Sequence, residues 1–305
     1  MSYKDPFRTI VSVAITVIIF SILLKKASLG QVYATVGSAD LKLIFLVLLV
    51  ALFNGFFISS IRWKLILKVM GCHLPHKEAF FIKVGSAPII GAVPLKIGEI
   101  SRILYLKKIN GIDHESSVFS IFAEYMLNLF TMLFFMSLCL IFVFIKALVS
   151  LPGDQPALVL CFVKFKILFS ENKWIMTFKK RLLKCFENEN IFKNKKIILF
   201  SLLFGFLELV CFYFLSKAIN VDLPFSEVFF YLPIIILLSS IPLTFLGLGM
   251  REGLVILLFQ KYASAGRLLA LGILYSFVEH IFPTLIGLGF TSIFINKIIN
   301  RDKGK

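Results

Sequence analysis

Acidic residues are scarce in this chain. Its 305 residues hold 17 Asp and Glu against 33 Lys and Arg, a formal net charge of +16. Charge of either sign is thin: Asp, Glu, Lys and Arg together make up 16% of the sequence and hydrophobic residues 59%, where soluble domains run near 25% charged and 45–50% apolar. A chain this short cannot bury that much apolar surface against itself, so an ordinary soluble domain is excluded and a bilayer is the expected solvent. The five cysteines (Cys72, Cys139, Cys161, Cys185, Cys211) have no CxxC spacing and no paired framework. They read as small hydrophobes, with neither a disulfide scaffold nor a metal knuckle. Also missing are a Walker loop, an HExxH, a GxSxG and any clustered aspartates; Asp5, Asp40, Asp113, Asp154, Asp222 and Asp302 are scattered. No motif therefore points to an ATPase, a metal-dependent sugar transferase, a zinc hydrolase or a serine hydrolase. No small-x-small cleavage site follows the first apolar run, and Lys25 and Lys26 do, which predicts an uncleaved first span.

What the sequence does contain is long apolar runs. Spans are expected at Thr9–Leu24, Leu43–Ile61, Val118–Ile145, Ile197–Ser216 and Leu268–Ile295, with Ala157–Phe169 the weakest candidate. Basic stretches at Arg62–Lys83 and Lys173–Lys196 and in the tail (Lys297, Arg301, Lys303, Lys305) belong on the cytoplasmic side by the positive-inside rule, and both termini with them. Ser150–Gln155 and Asn220–Glu227, which lack Lys and Arg, face out. Lys173–Lys196, basic and carrying Trp174 and Phe178, is expected on the inner leaflet.

Those orientations constrain two further segments. Ala79–Leu106 starts and ends on the cytoplasmic side, with Pro88, Gly91 and Pro94 in its middle. Breaks so placed leave pieces of about a dozen residues, reaching about 18 Å each, which suits a re-entrant hairpin. Val228–Gln260, broken at Ile241-Pro242 and at Gly247-Leu-Gly249, is expected to do the same from outside. The expected fold is an all-α polytopic membrane protein: about six spans, two re-entrant broken-helix hairpins and two inverted-topology halves, 1–150 and 151–305, within one membrane domain. Pro94 and Pro242 stand 148 positions apart as the two breaks. In inverted-repeat transporters such broken helices meet near the midplane and bind substrate there.

Charges at membrane depth cost roughly 2.5–3.5 kcal/mol each on insertion scales, so they mark candidate sites. Lys96, Glu99 and Arg102 follow the first break; Arg251 and Glu252 follow the second. A guanidinium presents a planar fork of donors suited to phosphate oxygens, and free N–H groups at a broken helix end add to an anion site. The competing reading makes each Glu/Arg pair an interfacial salt bridge capping a half-helix. Glu124, Glu208 and Glu279 are single carboxylates inside spans, which either line a polar cavity and pair with the arginines or lie near the interface or stay protonated; His280 could titrate near neutral pH, against the bland reading of a structural histidine.

The run Val93-Pro-Leu-Lys-Ile-Gly98-Glu99-Ile-Ser-Arg102, followed by Gly111 and Glu124, resembles a known family. So does Ile241-Pro242-Leu-Thr-Phe-Leu-Gly247-Leu-Gly249-Met-Arg251-Glu252. The family is the flippase-like one typified by the N-terminal membrane part of lysylphosphatidylglycerol synthases. The resemblance covers essentially the whole chain. One departure is that the family often has Glu-Arg and then an aspartate in the span after the first motif, where this chain has Glu124-Tyr125 and Asn128. The resemblance implies translocation of a lipid with a charged or phosphate-bearing headgroup across the cytoplasmic membrane, and does not imply aminoacyl transfer. Substrate-binding residues are expected to be Lys96, Glu99, Arg102, Arg251, Glu252, Glu124 and Glu279, with no cofactor and no metal. Expected partners are membrane lipids with anionic headgroups, not nucleic acid, with a homo-oligomer or a partner lipid-modifying enzyme in addition. Two rival classes stay open: a membrane transferase of lipid-linked substrates, and a scaffold for such an enzyme.

Overall fold

The computed structural model describes residues 6–93, 98–150, 191–240, 244 and 247–303. All regular structure among them is helical. α1 (Pro6–Lys26) and α2 (Leu29–Gly37) form a pair bent by 87°. The next span is continuous from α3 (Leu41–Leu52) through a π turn (Phe53–Ile58) into α4 (Ser59–Val69). α5 (His76–Ala92) and α6 (Ile100–Asn110) flank the first break, and α7 (His114–Ser150) follows. The second set is α8 (Lys195–Ala218), then α9 (Phe225–Ser239) and α10 (Met250–Phe259) around the second break. Last come α11 (Ala265–Ser276), a π turn (Phe277–Ile281) and α12 (Phe282–Lys303).

Four of these helices are long and apolar enough to cross a membrane: Leu41–Val69, His114–Ile141, Lys195–Ala218 and Ala265–Asn300; counting the bent α1–α2 pair gives up to five. They coincide with four of the six expected spans, and the bent pair with the fifth. The sixth, Ala157–Phe169, lies outside the described residues, as do Pro94, Lys96, Pro242 and the basic stretch from Lys173 to 190. Arg62 was expected in a basic cytoplasmic stretch, but the helix that carries Leu43–Ile61 runs on to Val69, so Arg62 sits inside it and is only 2% exposed. Within the first break segment α5 passes through Pro88 and ends at Ala92, just short of Pro94. Proline removes one N–H and frees the carbonyl four residues back, a loss one helix can absorb when a neighbour covers it. Here the freed carbonyl of Val84 faces Gly287 of α12, where a Cβ would come within 2.6 Å of it and of the Pro88 ring.

The chain repeats itself at an offset of 149. Leu74-Pro75-x-x-Glu78-x-Phe80-Phe81 opens α5, and Leu223-Pro224-x-x-Glu227-x-Phe229-Phe230 opens α9. Before each, the preceding helix ends in the same way. Gly71 at φ 80° and Asn220 at φ 56° turn the chain through left-handed space. The following N–H then closes back on the helix, Cys72 to Leu67 O and Val221 to Ser216 O, both at 2.9 Å. This is a six-residue Schellman closure, in the same register twice.

Matching helices then meet. Asp40 N–H bonds Ala218 O (2.7 Å) and Asn54 Nδ2 bonds Phe204 O (2.9 Å), so the α3–α4 span and α8 run antiparallel. The broken segments swap partners. α5 packs on α12, where Thr291 Oγ1 donates to Gly85 O at 3.0 Å. α9 packs on α7, where Phe229 meets Phe135 edge-on at 5.2 Å and Cys139 Sγ reaches Ser226 O. Small residues let the α5 and α12 backbones approach. Gly287→Ala is therefore expected to wedge the seam open, lowering stability by about 1–3 kcal/mol. Gly289→Ala, whose Cβ meets nothing within 4 Å, is expected to be neutral. Thermal unfolding of the two detergent-purified variants checks this.

Candidate functional site

Both broken segments open onto one cavity of about 380 Å³. One wall comes from the first repeat and carries Lys83, Glu99, Arg102 and Tyr125; the other comes from the second and carries Glu208, Arg251, Tyr275, Glu279 and His280. Each π turn abuts it, the first through Gly55 and Phe56 and the second through Glu279 and His280. A π turn adds a residue to the helical circuit and re-aims the side chains beyond it, which is why such turns recur at functional positions.

The first wall is a buried ion cluster centred on Glu124. Arg102 Nη2 reaches its Oε2 at 2.6 Å, Lys83 Nζ both oxygens at 2.8 Å, and Arg62 Nη2 its Oε1 at 3.5 Å. Arg102 uses its other arm on Glu99 Oε2 (2.8 Å), and the Tyr125 hydroxyl donates to Glu99 Oε1 at 2.9 Å. The guanidinium lies over the Trp63 ring at 4.1 Å, and the indole N–H is held by Ser120 Oγ. Stacking and a two-carboxylate fork fix its plane, as a lysine could not. Three cations meet two carboxylates here, so the wall keeps an excess of positive charge. The Nε atoms of Arg62 and Arg102 have no hydrogen-bond partner among the described residues.

Helix geometry explains the convergence. Ser117, Ser120, Glu124, Asn128 and Thr131 recur every three or four residues along α7 and so form one polar stripe on an apolar helix. Arg62 bonds Asn128 Oδ1 at 2.6 Å from the facing helix. The positions where this chain departs from the expected family pattern, Tyr125 and Asn128, are thus both members of the cluster. Arg62 and Lys83 were expected in a basic cytoplasmic stretch. They sit instead against Glu124, with side chains 2% and 12% exposed.

The second wall is built differently. Arg251 donates to Ser276 Oγ at 3.1 Å, meets His280 Nε2 at 2.7 Å and lies 5.3 Å from the Tyr275 ring. Glu252, expected beside it as a substrate ligand, turns away and is fully buried. Its Oε2 accepts the Gly249 N–H at 2.5 Å and its Oε1 the Ser276 hydroxyl at 2.5 Å. That satisfies a free N–H at the start of α10, an N-terminal cap made by a carboxylate. Glu208 accepts the Tyr275 hydroxyl at 2.9 Å. Glu279 faces the cavity with no hydrogen bond or salt bridge among the described residues. Of the seven residues proposed from sequence, five lie in or against this cavity: Glu99, Arg102, Glu124, Arg251 and Glu279. Glu252 caps a helix, and Lys96 is outside the described residues. Arg62, Lys83, Trp63, Tyr125, Asn128, Tyr275 and Ser276 were not picked out.

These features define a class: a polytopic α-helical membrane protein whose two broken segments bring buried charges to one internal cavity. The family follows from comparison. The model of the lysylphosphatidylglycerol synthase TM region matches residues 9–287, and the chain belongs to that family. It is a lipid-related membrane protein. No curated protein matches it.

Proposed function

We propose that this chain is a lipid translocase of the cytoplasmic membrane, moving a charged or phosphate-bearing lipid between leaflets. The observation that carries this reading is the cavity. Lys83 and Arg102, two cations of the Glu124 cluster, line one wall of a space shared by two broken helices, between apolar helices of spanning length. A phosphate entering a bilayer needs a fixed positive charge along its path, because an unpaired anion in a low-dielectric medium is very costly. Arg102 and Arg251 are proposed to hold the headgroup, with Lys83 and Glu99 at the mouth of the cluster. The 149-residue repeat and the antiparallel pairing of its spans support two inverted halves, 1–150 and 151–305, both of which line the cavity. Such a pair can present one site to either side.

The test is leaflet exchange of labelled phospholipid by the purified chain in proteoliposomes. Exchange well above protein-free vesicles supports a translocase; exchange equal to them rejects it. Topology offers a second check. Single cysteines placed at Lys107 and Lys261, near the ends of the two broken segments, are expected to react with an impermeant maleimide from opposite faces of the membrane. Labelling from the same face rejects the inverted arrangement.

A further inference from the structure

The second wall contains more carboxyl groups than the translocation of an anion calls for. Glu208 and Glu279 both line the cavity, against one guanidinium, Arg251. That guanidinium is engaged with Ser276 and His280, and neither lining carboxylate is salt-bridged to it. Glu208 has the Tyr275 hydroxyl, and Glu279 has no partner of its own. Thr244 adds an independent observation. It lines the same cavity and is 5% exposed, yet its Oγ1 has no hydrogen-bond partner among the described residues. The C-terminal end of α9 arrives at the same place, with Ser239 and Ser240 in the lining. A helix C-terminus presents carbonyl oxygens and a partial negative charge. Two carboxylates, an unsatisfied hydroxyl and a carbonyl end are all oxygen donors, the set that a hard cation or an ammonium group takes.

We infer that Glu208, Glu279 and Thr244 form a subsite for one small monovalent positive charge, set across the cavity from the Arg102–Lys83 wall. The charge is either a free alkali cation or an ammonium carried by the lipid headgroup. In both cases the cavity takes an anion on one side and a cation on the other, so that what crosses is closer to neutral than a bare phosphate. The charged and titratable groups around the subsite are Arg251 from α10, Tyr275 from α11, His280 from the π turn, Arg62 from α4 near Glu208, and Arg102, Lys83 and Glu99 from the opposite wall. The role of the subsite rests on the translocase reading; its existence does not.

The experiment reads binding apart from transport. Thermal unfolding of the detergent-purified full chain is followed against sodium chloride with choline chloride as the balancing salt. It is then followed against O-phosphoethanolamine with glycerol 3-phosphate as the amine-free comparison. A stabilisation specific to sodium marks a free ion, and one specific to phosphoethanolamine marks a headgroup ammonium. Either is expected to weaken about tenfold or more in Glu279→Gln and in Glu208→Gln, the loss of one charge-assisted contact. Glu115→Gln, on an exposed turn at the start of α7, is expected to behave as wild type. Thr244→Val tests the hydroxyl in a side chain of nearly the same shape. If neither probe shifts the unfolding temperature, or if the shift survives Glu279→Gln, the inference is overturned. A chain that binds the cation but exchanges no lipid keeps the subsite and loses the translocase.

Discussion

Glu124→Gln is expected to be the most damaging single substitution in the protein. One carboxylate faces the guanidinium of Arg102, the ammonium of Lys83 and the guanidinium of Arg62, and it is 5% exposed. Glutamine keeps the shape and one acceptor but removes the charge, leaving three buried cations with Glu99 as the one carboxylate still ion-paired to them among the described residues. Removing one member of a buried ion pair costs about 3–5 kcal/mol, because the abandoned charge stays desolvated. A typical domain has only 5–15 kcal/mol in total. The expected result is a protein that is depleted from the membrane and unfolds at markedly lower temperature in detergent. The physical cause is excess positive charge, so the double variant Glu124→Gln, Lys83→Met is expected to regain part of the loss. Wild-type stability of Glu124→Gln alone would show that the cluster is hydrated.

Arginine 102 carries the second large effect. Alanine there is expected to reduce lipid exchange per folded molecule on the order of 100-fold, the scale of two charge-assisted hydrogen bonds at about 1.5 kcal/mol each. Lysine keeps the charge, but it cannot reach Glu99 and Glu124 together while lying flat on Trp63. Arg102→Lys is therefore expected to fall between wild type and alanine. Arg251→Ala is expected to impair exchange as well, with less effect on stability, since its partners Ser276 and His280 need no countercharge. The measurement is leaflet exchange normalised to protein in the vesicles. Wild-type rates in both alanine variants would make these arginines helix caps and move the site toward Glu124 and Glu279.

The sequence showed the fold class through composition and the spans through run length, since both depend on local hydropathy alone. The two breaks were legible too, because proline and glycine act where they stand. Partner choice was not legible. Arg62 and Lys83 looked like loop charges because they lie near Lys64, Lys68 and Lys77. Their burial depends on α7 presenting Glu124 at the same depth, a long-range fact. The polar stripe from Ser117 to Thr131 was a local sign that α7 had such a face. Glu252 was misjudged for a related reason. A carboxylate three positions after a glycine reads the same whether it faces a cavity or its own helix start, and only the Gly249 N–H decides. The 149-residue repeat lies in plain letters at Leu74-Pro75 and Leu223-Pro224. It stands out once Gly71 and Asn220 are seen to turn the chain alike, because glycine and asparagine share left-handed backbone space without sharing chemistry.

The swapped seams set a timetable for assembly. The Gly85 carbonyl that receives Thr291 leaves the ribosome 206 residues before its partner. At about 5–20 residues per second that is roughly 10–40 s. Through that interval α5, whose Val84 carbonyl has lost its usual donor to Pro88, waits with its covering helix not yet made. The first repeat therefore enters the bilayer as an incomplete object, and α12 is the piece that closes it. A chain stopped before Phe282 is then a natural substrate for membrane quality control, even though the Glu124 ion cluster and most of the cavity lining have already been synthesised.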